Sequence, residues 1–376
     1  MIEKSTNSLE WPALQIAVEA AKAPVKNSPS ILQRGLRKFF PEKTPLSMNR
    51  HSHPNGVYIL VYHSVVDPDN RQVWEEHYRK GEVTAFGFRS QIEYMMEHMN
   101  PIALSEVPGL FREGNLQQSY FAITFDDGFR NNLTLADPII QEYGLKPTVF
   151  VNSEFASLNE VFYRVLTAVL AGQGHGPDLA KTLRRLAGKR EWSDDGAILF
   201  NQMKQYYLVD LLEQAADETY RLCLGDPEDL AVHLQVDEIK SMQKSGWEIG
   251  NHTQAHRLLS HQTPAMAIKA IEDNLRFWNE NGVDLIDFLA FPVGRAMDVN
   301  QVVSQWLDRS PGTNGIFANN GINFMYNRKE WLRFSFGKKT KPEELDEIIK
   351  AQIYRTKTAY AALNRETAVR SSYREN

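Results

Sequence analysis

The chain lacks most features that mark several common protein classes. Among its 376 residues there is one cysteine, Cys223, so neither an internal disulfide nor a thiolate metal cluster can form. A lone thiol usually serves as a small core hydrophobe. No stretch approaches the roughly 20 consecutive apolar residues of a membrane-spanning helix. A basic excess is also missing: 42 Lys and Arg against 47 Asp and Glu leave a net charge of −5, which argues against a nucleic-acid-binding protein. Met1 to Ala23 has neither the basic start nor the apolar centre of a secretory signal, and the expected location is the cytoplasm. The chain shows no internal repeat and no low-complexity tract. One short run, residues 31–40 (Ile31 to Phe40), is both basic and apolar. It reads either as a helix packed on the domain or as a weak peripheral contact with an anionic inner-membrane face.

What is present is an ordinary globular share of apolar residues, 42%, enough for a sizeable core. Residues 1–54 read as an N-terminal extension that ends in a polar, turn-rich stretch. Val57 to Tyr62 then begins a series of short β-branched and aromatic runs of the kind buried on both faces of a sheet. The others are Tyr120–Phe125, Thr148–Val151, Trp247–Gly250, Phe288–Phe291, Gly315–Ala318 and Trp331–Phe336, with helical patterns at Phe88–Met99, Ala265–Asn279 and Asp298–Asp308. Strands alternating with helices predict an α/β fold with a parallel sheet, open or closed into a barrel. Residues of about 154–235 interrupt the alternation with helical segments at Glu160–Ala171, Leu179–Leu186 and Gln202–Leu224. This is a helical insertion within a core domain of residues 55–340, placed to roof a site at the strand ends. Residues 341–376 read as a C-terminal helix, Glu343 to about Ala362, and a frayed polar tail after Asn364.

Two clusters carry chemistry. Asp126 and Asp127 follow the apolar run Ile123-Thr124-Phe125 and precede Gly128. Adjacent strand residues face opposite sides, so the two carboxylates can do different work. Like charges this close resist joint ionisation unless a cation neutralises one. Alone, the pair is equally compatible with a turn. His252 and His256 are spaced i, i+4 after another apolar run, and on a helical turn both imidazoles face one side. Two histidines and one aspartate form a three-ligand set that leaves coordination positions open, and the second aspartate is then a base.

Thr124-Phe125-Asp126-Asp127 and His252-Thr253-Gln254-Ala255-His256 resemble the first two motifs of the NodB-homology polysaccharide deacetylases (carbohydrate esterase family four). Phe291-Pro292-Val293-Gly294 resembles the third. Val61-Tyr62-His63-Ser64-Val65 resembles an element of the poly-N-acetylglucosamine deacetylase branch. The resemblance spans Val57 to Gly337 apart from the insertion. It implies a distorted (β/α) barrel and a metal-dependent hydrolase removing N-acetyl groups from a carbohydrate, with zinc first among the divalent metals. Asp126 matches the base, and Asp127, His252 and His256 match the metal ligands. Val293 stands where the family supplies a backbone oxyanion donor, usually at a Tyr, so the donor is kept and a ring contact with sugar is lost. The arginine many members carry before the third motif is replaced by Ala290 and Phe291. Arg333 is expected to pair with Asp126 from a later strand, against the reading of a surface arginine. The Leu-x-His element that often supplies a general acid is not evident, which leaves His63 as the candidate acid or else a hydrogen-bonded structural histidine. The implied partner is a sugar bearing N-acetyl groups, in surface-glycan biosynthesis. Two rival readings are cleavage of another amide or imide bond in a small molecule, and a degenerate barrel that only binds glycan.

Overall fold

The computed structural model describes residues 53–78, 82–113, 116–157, 160–187, 192–202, 209–295, 298–299, 301–310, 312–324 and 330–372. The predicted N-terminal extension and its basic run 31–40 lie outside them, apart from the last two positions of the extension.

Seven parallel strands form the centre: β1 (Val57–Tyr62), β2 (Tyr120–Phe125), β3 (Thr148–Val151), β4 (Glu248–Asn251), β5 (Leu285–Ala290), β6 (Asn314–Asn320) and β7 (Glu330–Arg333). They pair in chain order, and the two-residue strand Asn100–Pro101 adds to β2. The sheet curls until its ends nearly meet. Beyond β7, Val61 donates to the Phe334 carbonyl at 2.9 Å, and Phe334 donates to that of Ile59 at 3.0 Å. The result is the nearly closed parallel barrel expected from the sequence, with every strand delivering its C-terminal end to one face.

Side chains alternate along each strand between two apolar compartments. Val57, Ile59, Ala122, Phe150, Phe288, Ala290, Ile316 and Trp331 share an inner cluster. Tyr58, Leu60, Phe121, Ile123, Val149 and Ile249 pack outward, against helices that include α1 (Ala85–His98), α2 (Asp137–Glu142), α7 (Val236–Lys244) and α8 (Pro264–Glu280). Gly250 in β4 is dictated by this packing, since a Cβ there would meet the Phe150 ring at 2.4 Å.

Between β3 and β4 lie α3 (Tyr163–Gly172), α4 (Gly176–Ala187), α5 (Gly196–Gln202) and α6 (Val209–Cys223). They have a core of their own, in which Leu166, Leu170, Leu183, Trp192, Leu212 and Tyr220 join Trp74 and Phe129 of the barrel loops. The aromatic residues of the insertion are mainly core. Two expectations need correcting. Gln202 closes α5 rather than opening α6, because Gly196 and the Asp195 side chain, which accepts from Ile198 N–H at 2.9 Å, start a separate helix. The last helix, α10 (Pro342–Ser372), runs past Asn364 instead of fraying there, as no glycine or proline follows Pro342 to break it. A further helix, α9 (Gln301–Arg309), precedes β6.

Candidate metal centre and base

The site lies where β1, β2, β4, β5 and β7 end. Asp126 and Asp127 follow β2, and the Asp126 N–H donates to the Tyr62 carbonyl at 2.9 Å. Asp127 turns the chain with a φ of 70°, so the two carboxylates diverge. Asp126 meets Arg333 at the end of β7 in a two-pronged ion pair, 2.7 Å to Oδ1 and 2.8 Å to Oδ2. The guanidinium is fully buried, also reaches the Thr124 hydroxyl at 3.2 Å, and lies over the Phe150 ring. Asp127 faces the histidines instead, with its Oδ1 3.3 Å from Nε2 of both His252 and His256.

The histidine loop is not the helical turn its i, i+4 spacing suggested. Residues 252–256 form an irregular loop after β4, with left-handed backbone at Thr253 (φ 66°) and His256 (φ 52°). The imidazoles converge, centroids 4.9 Å apart, because those two residues fold the chain back on itself. Val293, after β5, is left-handed as well at φ 64°. Four of the five non-glycine residues with positive φ among those described are thus Asp127, Thr253, His256 and Val293. For β-branched Thr and Val this conformation is strained, and such strain persists where surrounding structure enforces it, commonly at functional sites.

A buried amide network does the enforcing, and sequence reading missed it. Asn152 donates to the carbonyls of His252 at 2.6 Å and Thr253 at 2.9 Å. The Asn251 Oδ1 accepts from Thr253 N–H and from Asn274, which also holds the Val151 carbonyl and Ser153 N–H. The available signal was Asn274 itself, a polar residue on the otherwise apolar face of α8. His233, at the end of the insertion, was missed too. Its Nδ1 donates to the Asp127 carbonyl at 3.1 Å, and its ring stacks on Phe129 and Phe155. The insertion reaches the site again at Phe162, whose ring stands edge-on to His256 at 5.0 Å.

The electrostatics divide the labour. Burial pushes the Asp126 carboxyl up, but Arg333, His252 and His63 outweigh it and hold it below the usual carboxylate range. Burial likewise opposes ionisation of Asp127, yet His256, His252 and His63 bring it well below its ordinary value. His256 is driven down to about 3, chiefly by burial, and is a neutral imidazole at working pH. His252 loses by burial but gains more from Asp127 and Asp126, and its pKa rises.

These residues fit a divalent cation. Ligand atoms of Asp127, His252 and His256 lie within 4.8 Å of one another. Nδ1 of His252 donates to the Ala290 carbonyl at 2.8 Å, which directs the Nε2 lone pair toward Asp127. That Nε2 is buried and has no hydrogen-bond partner. Of the remaining predicted residues, His63 sits half-buried one position past β1, close enough for its charge to lower both aspartates, and Val293 is half-buried beside Gly294.

Comparison with known proteins agrees with this architecture. The polysaccharide deacetylase family model matches residues 194–306, less than a third of the chain, a stretch that holds His252, His256 and Val293 but neither aspartate. No curated protein matches. Among solved structures, the Streptococcus pyogenes deacetylase PplD, in complex with acetate, is similar with a TM-score of 0.51 and 18% identity over 79% of this chain and 99% of that one. IcaB from Ammonifex degensii gives a TM-score of 0.49 and 15% identity over 80% and 99%. The family model thus matches a minority of the chain, and the likeness to PplD, at 18% identity, shows a shared fold.

Proposed function

We propose that the protein is a zinc-dependent carbohydrate N-deacetylase that releases acetate from an N-acetylated sugar during the building of a surface glycan. The observation that carries this reading is the division of two adjacent buried carboxylates between different partners: Asp126 on Arg333, Asp127 on two histidines.

Asp127, His252 and His256 would hold the cation. When bound, it supplies Lewis acidity to the acetyl carbonyl and makes water a better nucleophile at neutral pH. Asp126 is the general base: Arg333 keeps it ionised and fixes both oxygens, so a carboxylate stands ready to take a proton from the attacking water. The Val293 N–H is the backbone donor for the tetrahedral oxyanion, presented by its left-handed conformation. His63, facing the same carboxylates, gives a proton to the departing sugar amine. With a valine at 293 in place of an aromatic ring, sugar selection falls to other surfaces. The substrate class we favour is a lipid-linked or nucleotide-linked precursor within the cytoplasm, handled at the inner membrane face.

Acetate release on a panel of free, nucleotide-linked and polymeric N-acetyl sugars tests the reading, together with metal analysis. The expected result is about one equivalent of zinc or a similar ion, turnover on a member of the panel, and loss of that turnover in Asp126→Asn with metal content unchanged. Metal-free, inactive protein that still binds glycan would sink it. Turnover only on small non-sugar amides or imides would move the substrate class.

A further inference from the structure

A second set of metal-ligating side chains lies far along the chain from the strand-end motifs, inside the helical insertion. His175 ends the turn between α3 and α4, Asp178 stands in the first turn of α4, and Cys223 is the last residue of α6. We propose that these three residues form a second metal site, one that takes a thiophilic divalent cation of the zinc class.

Their ligand atoms all lie within 4.8 Å of one another. Nδ1 of His175 is already 3.1 Å from the Asp178 carboxylate. Ligands held about 2.0–2.3 Å from one tetrahedral ion sit roughly 3.5 Å apart, so small side-chain rotations close the set. A thiolate, an imidazole and a carboxylate suit zinc and disfavour magnesium or calcium, which prefer oxygen alone.

The convergence is built into the packing of two helices. The hydroxyl of Thr219 in α6 donates to that of Thr182 in α4 at 3.0 Å, and both threonines are buried. Arg185 and Glu218 form an ion pair one step further along. Rising numbers on α4 thus meet falling numbers on α6. One turn back from Thr182 is Asp178, and one turn on from Thr219 is Cys223, so the register that joins the threonines brings carboxylate and thiol together. His175 is set by its own backbone: its N–H donates to the Leu170 carbonyl at 2.8 Å, and its carbonyl accepts from Leu179 at 3.1 Å. Cys223 ends α6, and the negative end of a helix dipole favours a cation.

Binding forms a sulfur–metal bond and releases the thiol proton to solvent, with no electron transferred. His175 and Cys223 are half-buried and Asp178 is exposed, which leaves a fourth position for water and makes the ion exchangeable. Its effect is to cross-brace α4 and α6.

Sulfur separates this site from the strand-end centre, whose ligands are oxygen and nitrogen only. Full-length protein stripped of metal with a chelator is titrated with cobalt(II) and followed in the near ultraviolet. We expect a thiolate-to-cobalt charge-transfer band that saturates at one equivalent of this site. It should vanish in Cys223→Ser and need at least tenfold more cobalt in His175→Ala and in Asp178→Asn, with circular dichroism unchanged and acetate release, where present, unaltered. Wild-type protein that gives no such band overturns the proposal. So does a band equally strong in the His175 and Asp178 variants, which would show the thiolate binding alone.

Discussion

In the proposed function Asp126 serves as a base only while it stays ionised in a buried place, and Arg333 opposes the effect of burial there. Arg333→Met would leave an uncompensated buried carboxylate, at a cost of about 3–5 kcal/mol in stability, so the sharper probe is Arg333→Lys, which keeps the charge and loses the planar fork. Because Arg333 holds Asp126 below the usual carboxylate range, removing the fork raises it. The acid limb of the kcat/KM profile should therefore move to higher pH in Arg333→Lys, with a drop at neutral pH of about 10-fold or more. An unmoved limb would take Arg333 out of the base's environment. The same scale explains what could be read beforehand. Asp127, His252 and His256 stood out because carboxylate and imidazole are the residue types a cation needs. Asn152, Asn251 and Asn274 did not, since an asparagine in a sequence says nothing about which carbonyl it will meet.

Elements deliver these residues by their ends, and two positions show how little slack there is. Gly250 of β4 lies under the Phe150 ring, which in turn lies beneath Arg333. Gly250→Ala forces that ring aside, and we expect a loss of about 1–3 kcal/mol in urea unfolding together with reduced turnover. Asn274 on α8 holds the Val151 carbonyl of β3, the Ser153 N–H and the Asn251 side chain of β4, and Asn251 in turn holds the Thr253 N–H of the histidine loop. Asn274→Leu keeps the volume and abandons buried backbone partners, which should cost about 1–3 kcal/mol for each group left unsatisfied. Zinc affinity should fall about 10- to 100-fold in the same variant, measured by competition with a chromogenic chelator. Continuous apolar runs identified the strands because a strand buried on both faces must be apolar along its length. The i, i+4 spacing misjudged the histidine loop because an irregular turn whose backbone is left-handed twice brings the same two residues together.

At the scale of the whole molecule, Asp126, Asp127 and Arg333 are buried together at one end of the barrel, and stability should follow their ionisation. A cation that binds the folded state alone stabilises by about 2.7 kcal/mol at a hundred times its dissociation constant, so chelation should lower Tm and added zinc restore it. Acid should unfold the protein as Asp126 and Asp127, both depressed in the fold, take up protons; their contribution is full above the ordinary aspartate value and is lost as pH falls through their lowered values. Glu330, at the start of β7, acts in the opposite sense. Burial, aided by Asp308, pushes it up to about 7, so the stability tied to its protonated form is full below the ordinary glutamate value and is lost as pH rises through 7. Glu330→Gln should raise Tm at pH 8 and leave it nearly unchanged at pH 5, as read by differential scanning calorimetry. Residue types and hydrophobic periodicity were enough to determine an α/β fold with a parallel sheet and its interrupting helices, because those follow from local preference; the closed barrel was implied by the family resemblance. How two histidines converge without a helix, and where Cys223 meets His175, were decided only by tertiary packing, since each depends on contacts between segments that the chain order keeps far apart.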